Sequence, residues 1–175
     1  CTSRSFGKEI KELQKLIEVI SIYANICAFK LRKEKSCCTT VSVFISTNRF
    51  KKNIIQYHPY EMTRCDVPTN DSVEIIKAAI IGLKSIYRKD CIYKKAGVIV
   101  SRIISEEHVQ LSLFDKLDRD KRKSINKAVD KLNSVMGREK VKLAVQGKGI
   151  NWILKQEKLS PCYTTRFTDI LEVRI

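Results

Sequence analysis

A chain of 175 residues, 43% of them hydrophobic, has the length of one ordinary domain, or of one domain of about 100 residues with a small appendage, and too much apolar content for wholesale disorder. It has no apolar run near the roughly 18 residues a membrane-spanning helix needs, and with 6 Gly and 3 Pro it is neither collagen-like nor a linker. The 34 basic and 19 acidic residues leave a formal charge of +15, which predicts attraction to polyanions: nucleic acid first, an anionic membrane surface second, with a basic protein that has no polyanion partner left open.

The excess is spread along the chain. Residues 1–105 carry 19 basic and 9 acidic side chains (+10), and residues 106–175 carry 15 and 10 (+5). The first residue is Cys1 rather than Met, which reads as a fragment or a processed chain, and no signal peptide is visible. Seven cysteines, at 1, 27, 37, 38, 65, 91 and 162, form no CxxC pair. A structural zinc site is not expected, and free thiols in a reducing cytoplasm are the simplest account. Cys27 and Cys91 are expected to pack as small hydrophobes. His58 and His108, the two histidines, lie in no nucleophile motif, which disfavours a Cys-dependent enzyme.

In chain order, residues 2–6 read as a short strand ended by Gly7. From about Lys8 to Lys33, apolar residues at Ile10, Leu13, Leu16, Ile17, Ile20, Tyr23, Ala24, Cys27 and Leu31 recur at helical steps. Residues 37–46 alternate as a strand, with Val41, Val43 and Ile45 on one face and Thr40, Ser42, Phe44 and Ser46 on the other. A basic loop follows at 47–57, then a strand at 60–67 stopped by Pro68. Asp71 with Glu74 three residues on marks a helix start; that helix runs to about Arg88 with Ile76, Ala79, Ile80, Leu83 and Tyr87 inward. Residues 96–104 form a last apolar strand. The fold class is therefore α+β: β-α-β-β-α-β over residues 2–104, the split β-α-β arrangement, a four-stranded sheet with two helices on one face.

Beyond 105 the chain becomes polar and charged. Residues 106–117 read as a linker. Residues 118–175 read as a small C-terminal α/β module, with a helix at 124–136, a strand at Val141–Val145, and Trp152 and Phe167 as core residues. About 55 residues cannot build a large core alone. Gly147-Lys148-Gly149 resembles part of a phosphate loop, but GxxxxGK[ST] is absent.

Two groups of residues suggest function. The open sheet face and its rim offer Ser3, Arg4 and Ser5 on the first strand, Arg64 on the third, Ser101 and Arg102 on the last, and Lys51 and Lys52 in the loop. These residue types hold a sugar-phosphate backbone without reading sequence; the plainer alternative is a solvated face with scattered charges. The second group is Gln110-Leu111-Ser112-Leu113-Phe114, set in charged surroundings. In a mobile segment such residues form a portable anchor, Leu113 and Phe114 filling a partner's apolar pocket; alternatively they cover an edge of their own domain. No carboxylate pair suited to two metal ions is evident.

Thr2-Ser3-Arg4-Ser5-Phe6-Gly7, Pro68-Thr69-Asn70-Asp71-Ser72, Tyr93-Lys94-Lys95-Ala96-Gly97-Val98, Gln110–Phe114 and Leu159-Ser160-Pro161-Cys162-Tyr163-Thr164-Thr165-Arg166-Phe167 occur in that order. Together they resemble the C-terminal portion of the UmuC group of Y-family translesion DNA polymerases, the catalytic subunits of bacterial DNA polymerase V, over essentially the whole chain. The resemblance implies a little finger domain at 1–105 that grips primer-template DNA, a sliding-clamp ligand motif at 110–114, and a C-terminal extension at 118–175. It implies a cytoplasmic, nucleoid-associated protein in SOS mutagenesis, with UmuD and RecA as possible further partners and no membrane. The palm, fingers and thumb are not in this chain, so no catalytic residue and no cofactor is expected here, while a parent polymerase would need magnesium. The rival reading is a stand-alone DNA-binding or interaction module with the same fold.

Overall fold

The computed structural model describes residues 1–113, 115, 117–137, 140–147 and 159–170. The elements are β1 (Thr2–Ile10), α1 (Leu13–Lys33), β2 (Ser36–Thr47), β3 (Tyr60–Thr69), α2 (Ser72–Ile86), β4 (Tyr93–Ser105) and α3 (Arg119–Met136), with short 3-10 turns at Glu106–His108, Ala144–Gln146 and Phe167–Asp169. The strands lie in the order β1-β4-β2-β3, and each neighbouring pair is antiparallel. Thus β1 and β2 run parallel with β4 between them, and β3 and β4 run parallel with β2 between them. Each helix joins a parallel pair that the other pair splits, which is the α+β topology the sequence predicts.

Val41, Val43, Ile45, Ala96 and Val98 present one buried face to α1 and α2, whose Leu16, Ile20, Ala24, Ile75, Ala79 and Leu83 complete the core. At roughly 25 cal/mol per Å² of apolar surface, this layer contributes most of the stabilisation.

Several boundaries differ from the predicted ones. β1 continues through Gly7 to Ile10, so Ile10 pairs with Tyr93 instead of opening the helix. Its ladder shifts register between Ser5 and Ile10, and there Lys94 Nζ donates to the Phe6 carbonyl at 2.6 Å, satisfying an acceptor at the irregularity. β3 runs past Pro68 to Thr69. It is an edge strand, and its register slips between Cys38–Thr69 and Thr40–Arg64, so Pro68 sits where its missing N–H costs no ladder bond. α2 begins at the predicted cap, with Asp71 accepting from Glu74 N at 2.9 Å. The Asp71 N–H donates to Thr69 Oγ1 at 3.0 Å, so the Glu74 carboxylate is not needed there and accepts from Thr69 instead. β4 is longer than predicted at both ends, starting at the buried Tyr93.

The charge run at 118–123 is the first turn of α3, capped by Asp118 accepting from Lys121 N at 3.0 Å. Val141–Val145 is not a strand. The Gln146 side-chain oxygen accepts from Leu143 N at 2.9 Å and Gln146 N donates to the Leu143 carbonyl, closing a turn that packs Leu143 and Val145 against the core. Among the described residues of 118–175 the elements are α3 and short 3-10 turns, with no strand. Phe167 is 92% exposed and belongs to no core; Trp152 lies outside the described residues.

No residue of α3 is buried, and polar ties hold it to the sheet domain. Arg32 forks onto Asp130 at 2.7 and 2.8 Å and also donates to the Asn70 carbonyl and Ser72 Oγ. Arg122 and Asn126 donate to Asp71 at 3.0 and 2.8 Å, and Lys123 pairs with Glu106 at 2.6 Å. No described helix is long and apolar enough to cross a membrane.

Candidate nucleic-acid interface

The sheet face turned away from the helices is defined by register, since residues directly opposite in a ladder share a face. Ser3, Gly97, Phe44 and Tyr60 form one row across all four strands; Ile99, Ser42 and Met62 form the next; Ser101, Thr40 and Arg64 the third. On the other side of the aromatic row stand Ser5, Lys95 and Ser46. His58, just before β3, extends that row: its Nδ1 lies 2.5 Å from Ser46 Oγ. Six residues of β2 separate the Lys95 row from the Arg64 row, about 20 Å of extended strand.

The face therefore has a hydroxyl-rich cationic row at each end and an apolar band between. Tyr60 and Met62 are each 55% exposed, and the Tyr60 hydroxyl donates to Ser42 Oγ at 2.7 Å. Phe44 lies flat over Gly97, where any Cβ would come within 2.4 Å of the ring, and Lys95 Nζ sits 5.8 Å from the centre of that ring. Gly97 is thus required for space under the aromatic band.

The sequence-predicted residues divide over this frame. Ser3, Ser5, Arg64 and Ser101 are on the open face. Arg4 is not: it pairs with Ala96, a core position, and its charge acts on Tyr23 of α1. Alternation along β1 puts Arg4, exposed between Ser3 and Ser5, on the opposite side of the strand from them. Arg102 is exposed and takes a left-handed backbone conformation, φ 51°, which breaks the alternation after Ser101. Lys51 and Lys52 lie in the exposed β2–β3 loop, but Lys51 is held by Glu9 at 2.9 Å, and this contact keeps the Glu9 carboxyl below its usual pKa. Lys95, Phe44, Tyr60, Met62 and His58 were missed. Counting alternate positions outward from Gly97 and Ser42 would have found the first four once the pairing was known.

Beyond β4, Leu111 is 63% and Leu113 100% exposed, and Gln110 and Ser112 are also on the surface. Phe114 lies outside the described residues. The segment is bracketed by Glu106, paired with Lys123, and Asp115, whose carboxyl is held below its usual pKa by hydrogen bonding from Arg119.

Residues 1–113 match the impB/mucB/samB family C-terminal domain. The chain belongs to this family. Residues 123–173 match a domain of unknown function, DUF4113. The chain is 36% identical to Protein UmuC of Salmonella typhimurium over 173 residues, 98% of this chain and 41% of that protein. It is 34% identical to Protein ImpB of Salmonella typhimurium over 174 residues, 99% and 41%, and 35% identical to Protein MucB of Escherichia coli over 170 residues, 96% and 40%. It spans about two fifths of the length of these curated relatives, and the part of UmuC it matches is the C-terminal part.

In this impB/mucB/samB domain five of the six cysteines are structural in environment, Cys1 being exposed. Cys27, Cys37, Cys38 and Cys91 are buried, and Cys65 is half-buried. Burial pushes the Cys38 thiol up to about 12 and those of Cys37 and Cys65 to about 11, which keeps them protonated and poorly nucleophilic. Among the described residues no group of three or more His, Cys, Asp or Glu is placed to hold a metal ion.

Proposed function

We propose that this chain is the C-terminal part of a translesion DNA polymerase, and that it holds primer-template DNA and tethers the enzyme to a sliding clamp. The family match over residues 1–113 supports the polymerase assignment. The observation that carries the DNA reading is the open sheet face: hydroxyls and cations in two rows, with an apolar band between them, on a domain of charge +10. Phosphate contacts from Ser, Thr, Lys and Arg position a duplex without reading its sequence. Ser3, Ser5, Arg64, Ser101 and Lys95 form the proposed contact surface, with Lys52 and Arg102 at its rim. Arg4, turned toward α1, is outside it.

The three-part division is 1–105 for DNA, 106–117 for the tether and 118–175 for the extension. The exposed Leu111 and Leu113 support Gln110–Phe114 as the clamp ligand. A tether raises the concentration of the enzyme at the primer end without a new catalytic contact. Nucleotidyl transfer and its magnesium belong, in this reading, to the part of the parent polymerase that the relatives' greater length represents. UmuD and RecA are further proposed partners, and a nucleoid location follows from DNA binding.

The test is a titration of primer-template DNA at rising salt. Each neutralised phosphate contributes about −0.9 to the slope of log K against log salt on B-DNA. Arg64→Ala and Lys95→Ala should each reduce that slope by about 1 on every sequence, while Arg4→Ala leaves it unchanged. A salt-independent affinity would refute the reading.

A further inference from the structure

The β2–β3 loop presents an aromatic ring that neither the core nor the sheet face uses. Phe50 is 96% exposed, and Ile55 nearby is 53% exposed. A single exposed apolar side chain is ordinary on a protein surface. Here, however, the loop around it is tied down. Asn48 Oδ1 accepts from Phe50 N at 3.1 Å and the Asn48 carbonyl accepts from Lys51 N at 3.2 Å, closing the turn that carries the ring. Gln56 Nε2 donates to the carbonyls of Asn48 and Lys51 at 3.2 and 2.9 Å. Lys51 and Asn48 both reach Glu9 on β1, so the loop crosses the end of the sheet from β2 to the far edge strand. Its base is fixed by Thr47 N to the Tyr57 carbonyl at 3.1 Å and by Tyr57 N to Thr47 Oγ1 at 3.0 Å.

The loop stands at the end of the sheet that carries the Ser5, Lys95, Ser46 and His58 row. Residues 48–59 include Arg49, Lys51 and Lys52 and no acidic residue. With Lys51 committed to Glu9, Arg49 and Lys52 are the exposed cations next to Phe50 in the chain. An aromatic ring open to solvent on a hydrogen-bonded loop, with Arg49 and Lys52 close to it in the chain and the proposed phosphate-binding row at the same end of the sheet, has the chemistry of a stacking platform. Stacking needs a π-face with no partner, so the ligand is an unpaired base, and these cations take its phosphates.

We propose that Phe50 stacks on an unpaired nucleobase of single-stranded template next to the duplex held on the sheet face. This rests on the nucleic-acid reading of that face and extends it from duplex backbone to exposed base. The loop meets single-stranded template and the sheet rows meet duplex.

The test titrates the 175-residue chain with a blunt duplex and with the same duplex carrying a single-stranded template extension that contains a fluorescent purine analogue. Phe50→Ala should weaken binding to the extended DNA about tenfold, the order of one base–aromatic stack, and abolish quenching of the analogue, with the blunt duplex unaffected. Phe50→Trp should retain both signals. Ile81→Ala, which removes an exposed apolar side chain on α2, should change neither. An equal effect of Phe50→Ala on the two DNAs, or none on either, overturns the inference while leaving the duplex reading intact. Loss of binding to phosphatidylserine vesicles with both DNA affinities unchanged overturns it in favour of a membrane contact. Absence of salt-dependent binding of the wild type to either DNA removes the underlying reading as well.

Discussion

Replacing Gly97 by Ala tests the packing of the open face. A Cβ at this position would lie 2.4 Å from Cε1 and Cζ of Phe44 and 2.6 Å from Cβ of Ser3. The first clash falls on a ring that can swing outward; the second falls on an atom fixed to the β1 backbone, so the edge strand has to yield. Overpacking of this kind costs about 1–3 kcal/mol, a fall in Tm of about 2–10 °C for a chain of this size. The assay is urea denaturation of Gly97→Ala, Phe44→Ala and the double variant. Removing the ring leaves only the Ser3 contact, so Gly97→Ala should cost less in the Phe44→Ala background, with a coupling of about 1 kcal/mol or more. An equal cost in both backgrounds would show that the ring does not rest on Gly97 and would refute the description of the apolar band.

Replacing Leu113 and Phe114 together by Ala should remove most clamp binding in a pull-down or titration and leave DNA affinity unchanged, since burying each side chain is worth roughly 1.5–3 kcal/mol and neither carries charge. Arg32→Ala removes the fork onto Asp130 and the bonds to Asn70 and Ser72; hydrogen exchange should rise across α3 while the sheet stays protected, because no α3 residue is buried. Cys1 and Cys162 are exposed and should react with a thiol reagent in the folded protein, whereas Cys27, Cys37, Cys38 and Cys91 should react only on unfolding. The Cys38 thiol rises from 9.0 to about 12 on folding, so its contribution is complete below pH 9 and is lost as pH rises from there toward 12, where the unfolded chain ionises first. Urea midpoints should fall over that range, and less steeply in Cys38→Ala.

How the chain divides between what was legible and what was not follows from the range of the forces. Alternation over 37–46 and the three- and four-residue steps in α1 are local and appear directly in the order of residues. So does the Asp71 cap, which needs only residues three apart. The split β-α-β order follows from the same patterns, whereas the exposure of Leu111 and Leu113 does not: the sequence alone left that segment open between a free anchor and packing on its own domain. Strand register is not local. It decided that Ser3 and Ser5 share a face with Lys95 while Arg4 turns to α1, and that Phe44, Tyr60 and Met62 make one band. It also decided that Pro68 could remain in a strand, because only the sheet order makes β3 an edge. The weakest sequence signals lay after residue 117. There a short apolar stretch, Val141–Val145, is equally compatible with a strand and a turn; Gln146 closes the turn on Leu143, three residues back, and the packing of Leu143 and Val145 against the core of the sheet domain decides for the turn. Charge composition alone predicted attraction to a polyanion; only the fold gathered selected charges onto one face and turned Arg32, Arg119 and Arg122 inward, toward Asp130, Glu74 and Asp71, where they hold α3 to the domain.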